Sequence, residues 1–215
     1  MKKLMMVAAM MLMSMGAFAQ NEVGQFTLQP KVGINLSTIT GKTVAGTESK
    51  MKVGLAAGVE GEYGVAENFS VTAGLLYSME GSKVKSTEIN DLSVKANLDY
   101  INIPIMAQYY VIKGLAIKAG LQPAFNVRKD IKYDLPSGLP AAVVSQVDAT
   151  VKPIVDGIKN NINTFNLSIP IGISYEYQSF VLDARYNIGV TKLVKDSNEG
   201  RNSTITFTVG YKFAL

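Results

Sequence analysis

The chain of 215 residues contains no cysteine and no histidine. These absences exclude Ser-His-acid triads, His-based acid/base pairs, thiol nucleophiles and zinc sites of the usual type. Carboxylate pairs remain, and Glu60 and Glu62 share one face of an extended segment. A salt-bridge network accounts for such carboxylates better than a catalytic pair does. We therefore predict that the protein is not an enzyme and binds no cofactor or metal.

Long apolar runs are absent as well, apart from one short stretch at the N-terminus. Lys2 and Lys3 precede the apolar residues 4–15, and Ala17-Phe18-Ala19 supplies a small-x-small cleavage site. The stretch is too short to cross a bilayer as a stop-transfer helix. This pattern predicts that residues 1–19 are a signal peptide, which is cleaved after Ala19.

The remaining residues, 20–215, are long enough for one domain, and their charge is nearly balanced. The formal net charge of +4 less the two charges of Lys2 and Lys3 is +2, so we expect no nucleic-acid partner. Apolar residues make up 47% of the chain, and an exported chain without disulfides needs another source of stability. Closure into a β-barrel within lipid is one such source.

Period-two alternation is the dominant pattern of these residues. Apolar and polar or small side chains alternate most clearly over Phe69–Met79, Phe165–Tyr177 and Ile205–Phe213. In a strand, alternate side chains point to opposite faces, so each segment has one apolar face and one polar or small face. Strands of this kind are predicted at Gln25–Leu36, Met51–Tyr63, Phe69–Glu80, Leu98–Val111, Leu115–Lys129, Thr164–Tyr177, Phe180–Val190 and Asn202–Phe213.

The connections between these strands alternate in length. Short turns are expected at Gly64–Asn68, Ile112–Gly114 and Gln178–Ser179. Long polar connections are expected at Ser37–Lys50, Gly81–Asn97, Asp130–Asn163 and Thr191–Arg201. Outer-membrane barrels have short periplasmic turns and longer external loops. The fold predicted is therefore an all-β, eight-stranded antiparallel up-and-down transmembrane β-barrel in a bacterial outer membrane, with both termini in the periplasm.

Aromatic side chains agree with this orientation, because many fall at strand ends beside a short turn or the C-terminus. Such rings would form a girdle at one membrane interface. A general preference of aromatics for strands would instead scatter them along the strands. The residues predicted to form the girdle are Tyr63, Phe69, Tyr109, Tyr175, Tyr177, Phe180, Tyr211 and Phe213.

The polar face of the strands carries acids and bases together. With eight strands the interior is only wide enough to be filled by side chains. Charges there must pair, because a buried charge without a partner is costly. The structural polar network predicted in the lumen consists of Glu60, Glu62, Lys118, Arg128, Glu176, Asp183, Arg185 and Lys212. Pro104 and Pro170 remove ladder donors within strands, so local bulges are expected at both.

The segment from Pro140 to Ile158 departs from the strand pattern. Its apolar residues recur every three or four positions, which predicts a short amphipathic helix in the third external loop. Pro140 suits the start of a helix, and Pro153 would kink or end it. The helix would either pack over the barrel mouth or contact a partner or a membrane surface.

Four stretches of the chain resemble the PorT-like outer-membrane β-barrel family of Bacteroidetes. They are Lys31–Ser37, Gly74–Ser78, Asp99–Ile105 with its Tyr-x-x-x-Pro pattern, and Gly120–Phe125 with its Gly-x-Gln pattern. The resemblance extends over nearly all of residues 20–215. It implies an eight-stranded outer-membrane barrel with a periplasmic C-terminus, and it implies no particular activity.

Three functional hypotheses follow. In the first, the barrel is a structural or interaction protein that contacts outer-membrane lipid and meets a protein or surface partner through residues 81–97 and 130–163. The second is a minor pore, which eight strands disfavour because they leave no aqueous channel. The third is a soluble lipocalin-like barrel, which would turn the apolar phase of Ile169, Ile171 and Ile173 inward around a ligand. The sequence indicates neither the oligomeric state nor the partner's identity.

Overall fold

The structure is a computed structural model that describes most of the chain beyond the N-terminal segment. The ranges described are 23–40, 47–86, 93–134, 161–193 and 200–215, together with 149, 152–153, 155–157 and 159. The predicted signal peptide lies outside the described residues.

Ten strands are described, and they form a single antiparallel sheet. Their bounds are β1 Phe26–Thr40, β2 Thr47–Ala66, β3 Phe69–Ser86, β4 Ser93–Asn102, β5 Ile105–Ile112, β6 Leu115–Asp134, β7 Phe165–Tyr177, β8 Phe180–Gly189, β9 Arg201–Tyr211 and β10 Phe213–Ala214. The pairing follows chain order, except that β4 and β5 each pair with β3 and β6 and that β10 pairs with β1; β9 pairs with β1 to close the ring. This closure removes the open sheet edges, which lipid could not hydrogen-bond.

The ten strands form eight antiparallel segments of the barrel wall, which we call staves. β4 and β5 are two parts of one stave, separated at Ile103 and Pro104, and both pair with β3 and β6. β10 continues β9 beyond Lys212 and pairs with β1. The predicted eight-stranded antiparallel barrel is therefore confirmed. Pro104 interrupts its stave as expected, whereas at Pro170 the register of β7 with β8 continues without a shift, so the bulge predicted there is wrong.

Alternation along β7 shows which face is inside. Ile169, Ile171 and Ile173 are 42%, 46% and 55% exposed, whereas the neighbouring Ser168 and Ser174 are buried. The apolar phase therefore covers the outside of the barrel and the polar phase fills it. A barrel in lipid has this arrangement, and a lipocalin-like barrel has the reverse. The soluble alternative is therefore wrong.

The short connections occur where the sequence predicts them, at residues 67–68, 113–114 and 178–179. The second and third of these turns place one residue each in the left-handed region, Gly114 at φ 81° and Gln178 at φ 56°. Glycine adopts this region without steric cost, whereas a residue with a Cβ rarely does. The aromatics predicted for the girdle lie beside these turns, where Phe180 and Tyr211 meet edge to face with ring centroids 5.2 Å apart.

Several strands extend further than predicted at the opposite end. β2 and β6 contain 20 residues each, and at about 3.3 Å per residue each would reach roughly 66 Å. A hydrocarbon core of about 30 Å needs only about half of that length even when the strand is tilted. The sheet therefore continues past the membrane at the end that carries the long connections, where residues on both faces are polar and the alternation fades.

Only the later part of the predicted helix, from Ala149 onward, falls within the described residues. The described residues between Ala149 and Asn161 are helical, Pro153 included, and helical residues are described on both sides of this proline. Residues 140–148 lie outside the described residues. No helix of the described part of the chain is long and apolar enough to cross a membrane.

Candidate functional site

The lumen contains a cluster of five charged side chains, which we call the Arg185 cluster. It consists of Lys31 from β1, Glu60 from β2, Lys118 from β6, and Asp183 and Arg185 from β8. All five point inward because they occupy the polar phase of their strands. Their side chains are at most 4% exposed.

Arg185 lies at the centre of this cluster. Its Nη2 atom donates to Glu60 Oε2 at 2.7 Å, and its Nε atom donates to Asp183 Oδ1 at 2.6 Å. Lys118 donates to Asp183 Oδ2 at 2.9 Å, and Lys31 Nζ lies 3.2 Å from Glu60 Oε1. The planar guanidinium thus joins two carboxylates, and each carboxylate also meets a lysine. These contacts connect four strands across the barrel axis.

A second group, the Lys212 cluster, lies nearer the short turns. Lys212 Nζ contacts Glu62 Oε2 at 2.9 Å and also donates to Glu176. Glu62 Oε1 accepts hydrogen bonds from Tyr110 at 2.6 Å and Ser70 at 2.7 Å. Lys212 lies between β9 and β10, so its charge links the last stave to β2 and β7.

The two clusters compensate each other in charge. With ordinary ionisation, the Arg185 cluster has three cations and two anions, whereas the Lys212 cluster has one cation and two anions. Glu60 and Glu62 are two residues apart on β2, so the clusters form adjacent layers. Together they are neutral, as a water-poor interior requires.

Above these layers the lumen contains mainly uncharged polar side chains. A cavity of about 10 Å³ among them is bordered by Ser78, Asn102, Gln122 and Thr206, with Arg185 below. A space of this size holds about one water molecule. Further toward the long connections, the buried Glu80 accepts hydrogen bonds from Asn202 and Thr204.

An apolar plug closes the end of the lumen that carries the long connections. Leu98 and Tyr100 from β4 pack there with Ala124 from β6 and with two residues outside the strands, Ile162 and Leu193. Ile162 precedes β7 and Leu193 follows β8, so segments outside the strands fold back over the barrel mouth. The peptide groups of Asn163 and Leu193 join these two segments by a hydrogen bond of 2.8 Å.

Seven of the eight lumen residues predicted from the sequence lie in the two clusters, and Arg128 does not. Its side chain is 58% exposed and lies 3.7 Å from Asp99 Oδ2 and 3.5 Å from Asp130 Oδ2. A register shift between β4 and β6 beside Asp99 turns Arg128 to the outer face. Lys31 is the cluster member that the prediction missed, although the alternation of Thr27, Gln29 and Lys31 with Leu28 and Pro30 already placed it on the polar face.

At the end with the long connections, the described residues form a concave feature beside the helical segment. A cleft of about 510 Å³ lies between that segment and β6. Ile131 and Val155 give it an apolar floor, and Lys152, Asp156 and Lys159 give it a charged rim. No group of three or more Asp and Glu side chains in the described ranges is arranged to hold a metal ion.

Comparison with known proteins identifies the family. Residues 18–195 match the family described as outer membrane protein beta-barrel domain. The match covers more than half of the chain, so this protein belongs to that family and is a small outer-membrane β-barrel. No curated protein sequence matches the chain.

Several solved structures are similar to the chain. They include Ail, the attachment invasion locus protein of Yersinia pestis, at 11% identity and a TM-score of 0.48, with 89% of this chain and 100% of that chain covered. OprG from Pseudomonas aeruginosa is 13% identical with a TM-score of 0.46, with 91% of this chain and 99% of that chain covered. Neisserial surface protein A is 13% identical with a TM-score of 0.44, and the coverage is 92% and 99%.

Proposed function

We propose that this protein is an anchored contact protein, in which the barrel fixes a recognition surface at the outside of the outer membrane and performs no catalysis. The observation that carries the proposal is the closed lumen. Buried ion pairs fill one end and the apolar plug fills the other. Because side chains occupy the interior, the surface available for binding a partner is the one formed by the long connections and the protruding strands.

The cleft beside the helical segment is the part of this surface that we assign to contact. Ile131 and Val155 form its apolar floor, which can bury an apolar group of a partner. Lys152 and Lys159 form its charged rim, which can orient that partner, and binding sites combine these two features. Residues 130–163 supply the cleft, so we propose them as the principal partner-binding segment. Residues 81–97 form a second contact segment, because β3 and β4 extend beyond the membrane there.

A deletion of residues 136–159 tests this assignment. The intact protein and the deletion variant are compared on living cells with a membrane-impermeant cross-linker, and the adducts are identified by mass. We expect the intact protein to form a discrete adduct that the variant loses, while the variant still folds. A deletion of 41–46, which lies outside both proposed contact segments, serves as the control for shortening a long connection. Identical adducts from the intact protein and the 136–159 variant would remove the role of this segment.

The proposed orientation has an independent test. The chain has no native cysteine, so Lys152→Cys introduces a single thiol. An impermeant maleimide should label this thiol on intact cells, whereas Lys113→Cys, in a short turn, should react only after the outer membrane is opened. The opposite labelling pattern would invert the orientation and the proposal with it.

The minor pore remains the alternative, and conductance measures it directly. The intact barrel in a planar bilayer should show no stepwise conductance, because the lumen at Arg185 and at Leu98 is filled by side chains. Reproducible ohmic steps from the purified protein would favour the pore.

Two narrower assignments complete the proposal. We assign the chain to the PorT-like barrels of Bacteroidetes on the four stretches that resemble them, and a phylogeny that places it within another branch would reject this. We also propose that residues 1–19 are a signal peptide. The protein purified from outer membranes should then begin at Gln20, which N-terminal sequencing measures.

A further inference from the structure

A groove crosses the outer wall of the barrel between two rows of apolar side chains. It contains about 450 Å³ and extends over five strands, from β6 through β7, β8 and β9 to β1. The row nearer the short turns consists of outward side chains that are paired directly from strand to strand, namely Leu115, Tyr175, Leu182, Val209 and Val32. The second row is paired in the same way and consists of Ile173, Ala184, Phe207 and Ile34. We call this space the wall groove.

The floor of the wall groove is backbone. Ser174, Asp183 and Thr208 lie between the two rows, and their side chains are buried on the inner face of the barrel. Neighbouring residues of a strand point to opposite faces, so these polar groups are turned away from the groove. The outer surface of the groove is therefore almost entirely apolar.

Ala184 gives the wall groove its depth. Its side chain ends at Cβ, whereas the two residues paired with it, Ile173 and Phe207, carry large side chains that are 55% and 45% exposed. Leu182, two positions away on the same face of β8, is exposed as well. These side chains surround the methyl group of Ala184, so a larger residue at this position would fill the middle of the groove.

The wall groove leads from a membrane interface to the middle of the bilayer. Leu115 is the first residue of β6 after a short turn, whereas Val32 is the seventh residue of β1. For strands tilted by about 40°, the β1 end of the groove lies roughly 12–15 Å deeper in the membrane than the β6 end. The hydrocarbon of one leaflet is about 15 Å thick, which is half of a core of about 30 Å. The groove therefore spans the depth of one leaflet.

The width of the wall groove fits one hydrocarbon chain. Five strands with a spacing of about 4.8 Å give the groove a length of about 19 Å. A volume of about 450 Å³ over this length corresponds to a cross-section of roughly 24 Å², which is close to that of a single extended acyl chain. A helix about 10 Å in diameter does not enter so narrow a groove. A strand could not pair there either, because the ring of strands leaves no open edge.

We propose that the wall groove binds one acyl chain of a phospholipid from the leaflet that borders the short turns. The chain enters beside Leu115 and Tyr175, where the headgroup stays at the interface, and it ends near Ile34. Bulk lipid is as apolar as the groove, so close packing favours this position and the hydrophobic effect does not. The site belongs to the barrel wall, so it is independent of the contact surface proposed above and of the side of the membrane on which the short turns lie.

Photolabelling by a phospholipid tests the site. The protein purified from outer membranes is placed in nanodiscs of phosphatidylcholine that contain a small fraction of phosphatidylcholine with a diazirine midway along one acyl chain. After irradiation, the labelled residues are mapped by mass spectrometry. Ala73 serves as the reference on the far wall, because it faces out and is the fifth residue of β3, as Ala184 is of β8. We expect roughly threefold more label around Ala184 than around Ala73, the factor typical of a packing contact within a membrane.

The position of the diazirine along the chain tests the direction of binding. A diazirine near the ester should label residues beside Leu115 on β6, and one at the end of the chain should label residues beside Ile34 on β1. Bulk lipid would instead label every strand equally at a given depth. Equal labelling of β3 and β8 at the depth of Ala73 and Ala184 would overturn the site.

A matched pair of variants tests the groove itself. Ala184→Leu fills the middle of the groove and keeps the wall apolar, so the label on β8 and β9 should fall roughly threefold, to the level of the far wall. Ala73→Leu makes the same change at the same depth and should leave the labelling of β8 and β9 unchanged. Unchanged labelling of β8 and β9 in folded Ala184→Leu would overturn the site. The labelling of the unchanged protein tests the proposal even if this variant does not fold.

Two other occupants give different results. If a second copy of this chain filled the groove, the groove would stay unlabelled and native mass spectrometry would show two chains in each nanodisc. If the groove preferred a free fatty acid, oleate would suppress the labelling more strongly than unlabelled phosphatidylcholine at the same concentration of acyl chains. Either result would overturn the assignment to a phospholipid, whereas equal or weaker suppression by oleate supports it.

Discussion

Replacing Glu60 by Gln should destabilise the barrel far more than the same change at Glu62. The two glutamates are neighbours in the polar phase of β2 and are both buried, and glutamine matches the shape of glutamate. They differ in their surroundings. Three cations surround Glu60, with Arg185 at 2.7 Å, Lys31 at 3.2 Å and Lys118 at 3.5 Å.

The change Glu60→Gln would leave those three cations with Asp183 as their remaining carboxylate in the cluster. Removing one partner of a buried ion pair typically costs about 3–5 kcal/mol, because the other charge stays buried without compensation. The change Glu62→Gln leaves Lys212 with Glu176, and the amide oxygen still accepts from Tyr110 and Ser70, while the amide nitrogen replaces Oε2 and its contact with Lys212 is lost. We expect about 1–2 kcal/mol there, the cost of weakening charge-assisted hydrogen bonds.

Urea unfolding in detergent micelles measures this difference. The chain has no tryptophan, so the unfolded fraction is followed by far-ultraviolet circular dichroism and by the mobility shift of the folded barrel on unheated gels. The midpoint should fall for both variants, and the Glu60→Gln variant should be less stable than the Glu62→Gln variant by about 2 kcal/mol. Equal losses at both positions, or a larger loss at Glu62, would refute the assignment of charges to the two clusters.

Two further predictions concern the outer wall and the ring closure. Ile171→Lys, midway along the apolar face of β7, should lower the free energy of unfolding in micelles or bilayers by about 2–4 kcal/mol. Ile112→Lys, beside a short turn, should lower it by at most about 1 kcal/mol. Equal unfolding midpoints for the two variants would show that Ile171 does not face lipid. Gly33→Ala should impair folding, because its Cβ would lie 1.8 Å from the Phe207 carbonyl oxygen across the β1–β9 seam. Gly157→Ala meets no atom within 4 Å, and similar yields of folded barrel from both glycine variants would count against the close approach at the seam.

Much of the barrel could be predicted from the sequence, because lipid outside and a polar filling inside impose alternation along each strand. The prediction failed where that contrast ends. β1 continues to Thr40, β3 continues to Ser86 and β6 continues to Asp134, all within stretches that were predicted as loops. Beyond the bilayer both faces of the sheet meet water, so the backbone can remain paired while the side chains show no period.

The lumen residues were predictable as a set, whereas their pairing was not. Arg185 meets Glu60, which lies 125 positions earlier in the chain, and the alternation of one strand contains no information about the stagger of a distant one. The position of Arg128 could not be predicted either, because it depends on the register between β4 and β6. A register shift of one residue beside Asp99 exchanges the faces of everything beyond it, so a lumen residue by pattern becomes an outer-surface residue in the fold.

The apolar plug brings segments outside the strands into the barrel interior. The alternation of apolar and polar residues along the strands could not predict this feature. Ile162 and Leu193 lie outside the strands, yet each is less than 8% exposed because both pack in one cluster with Leu98 and Tyr100 at the barrel mouth. A backbone hydrogen bond from the Asn163 N–H to the Leu193 carbonyl oxygen fixes the two segments to each other. Changes to the outer surface therefore separate into two classes. We expect deletions within 136–159 to retain the plug residues Ile162 and Leu193 and to alter the proposed recognition, whereas deletions that reach Ile162 or Leu193 should open the lumen and lower the stability of the whole ring.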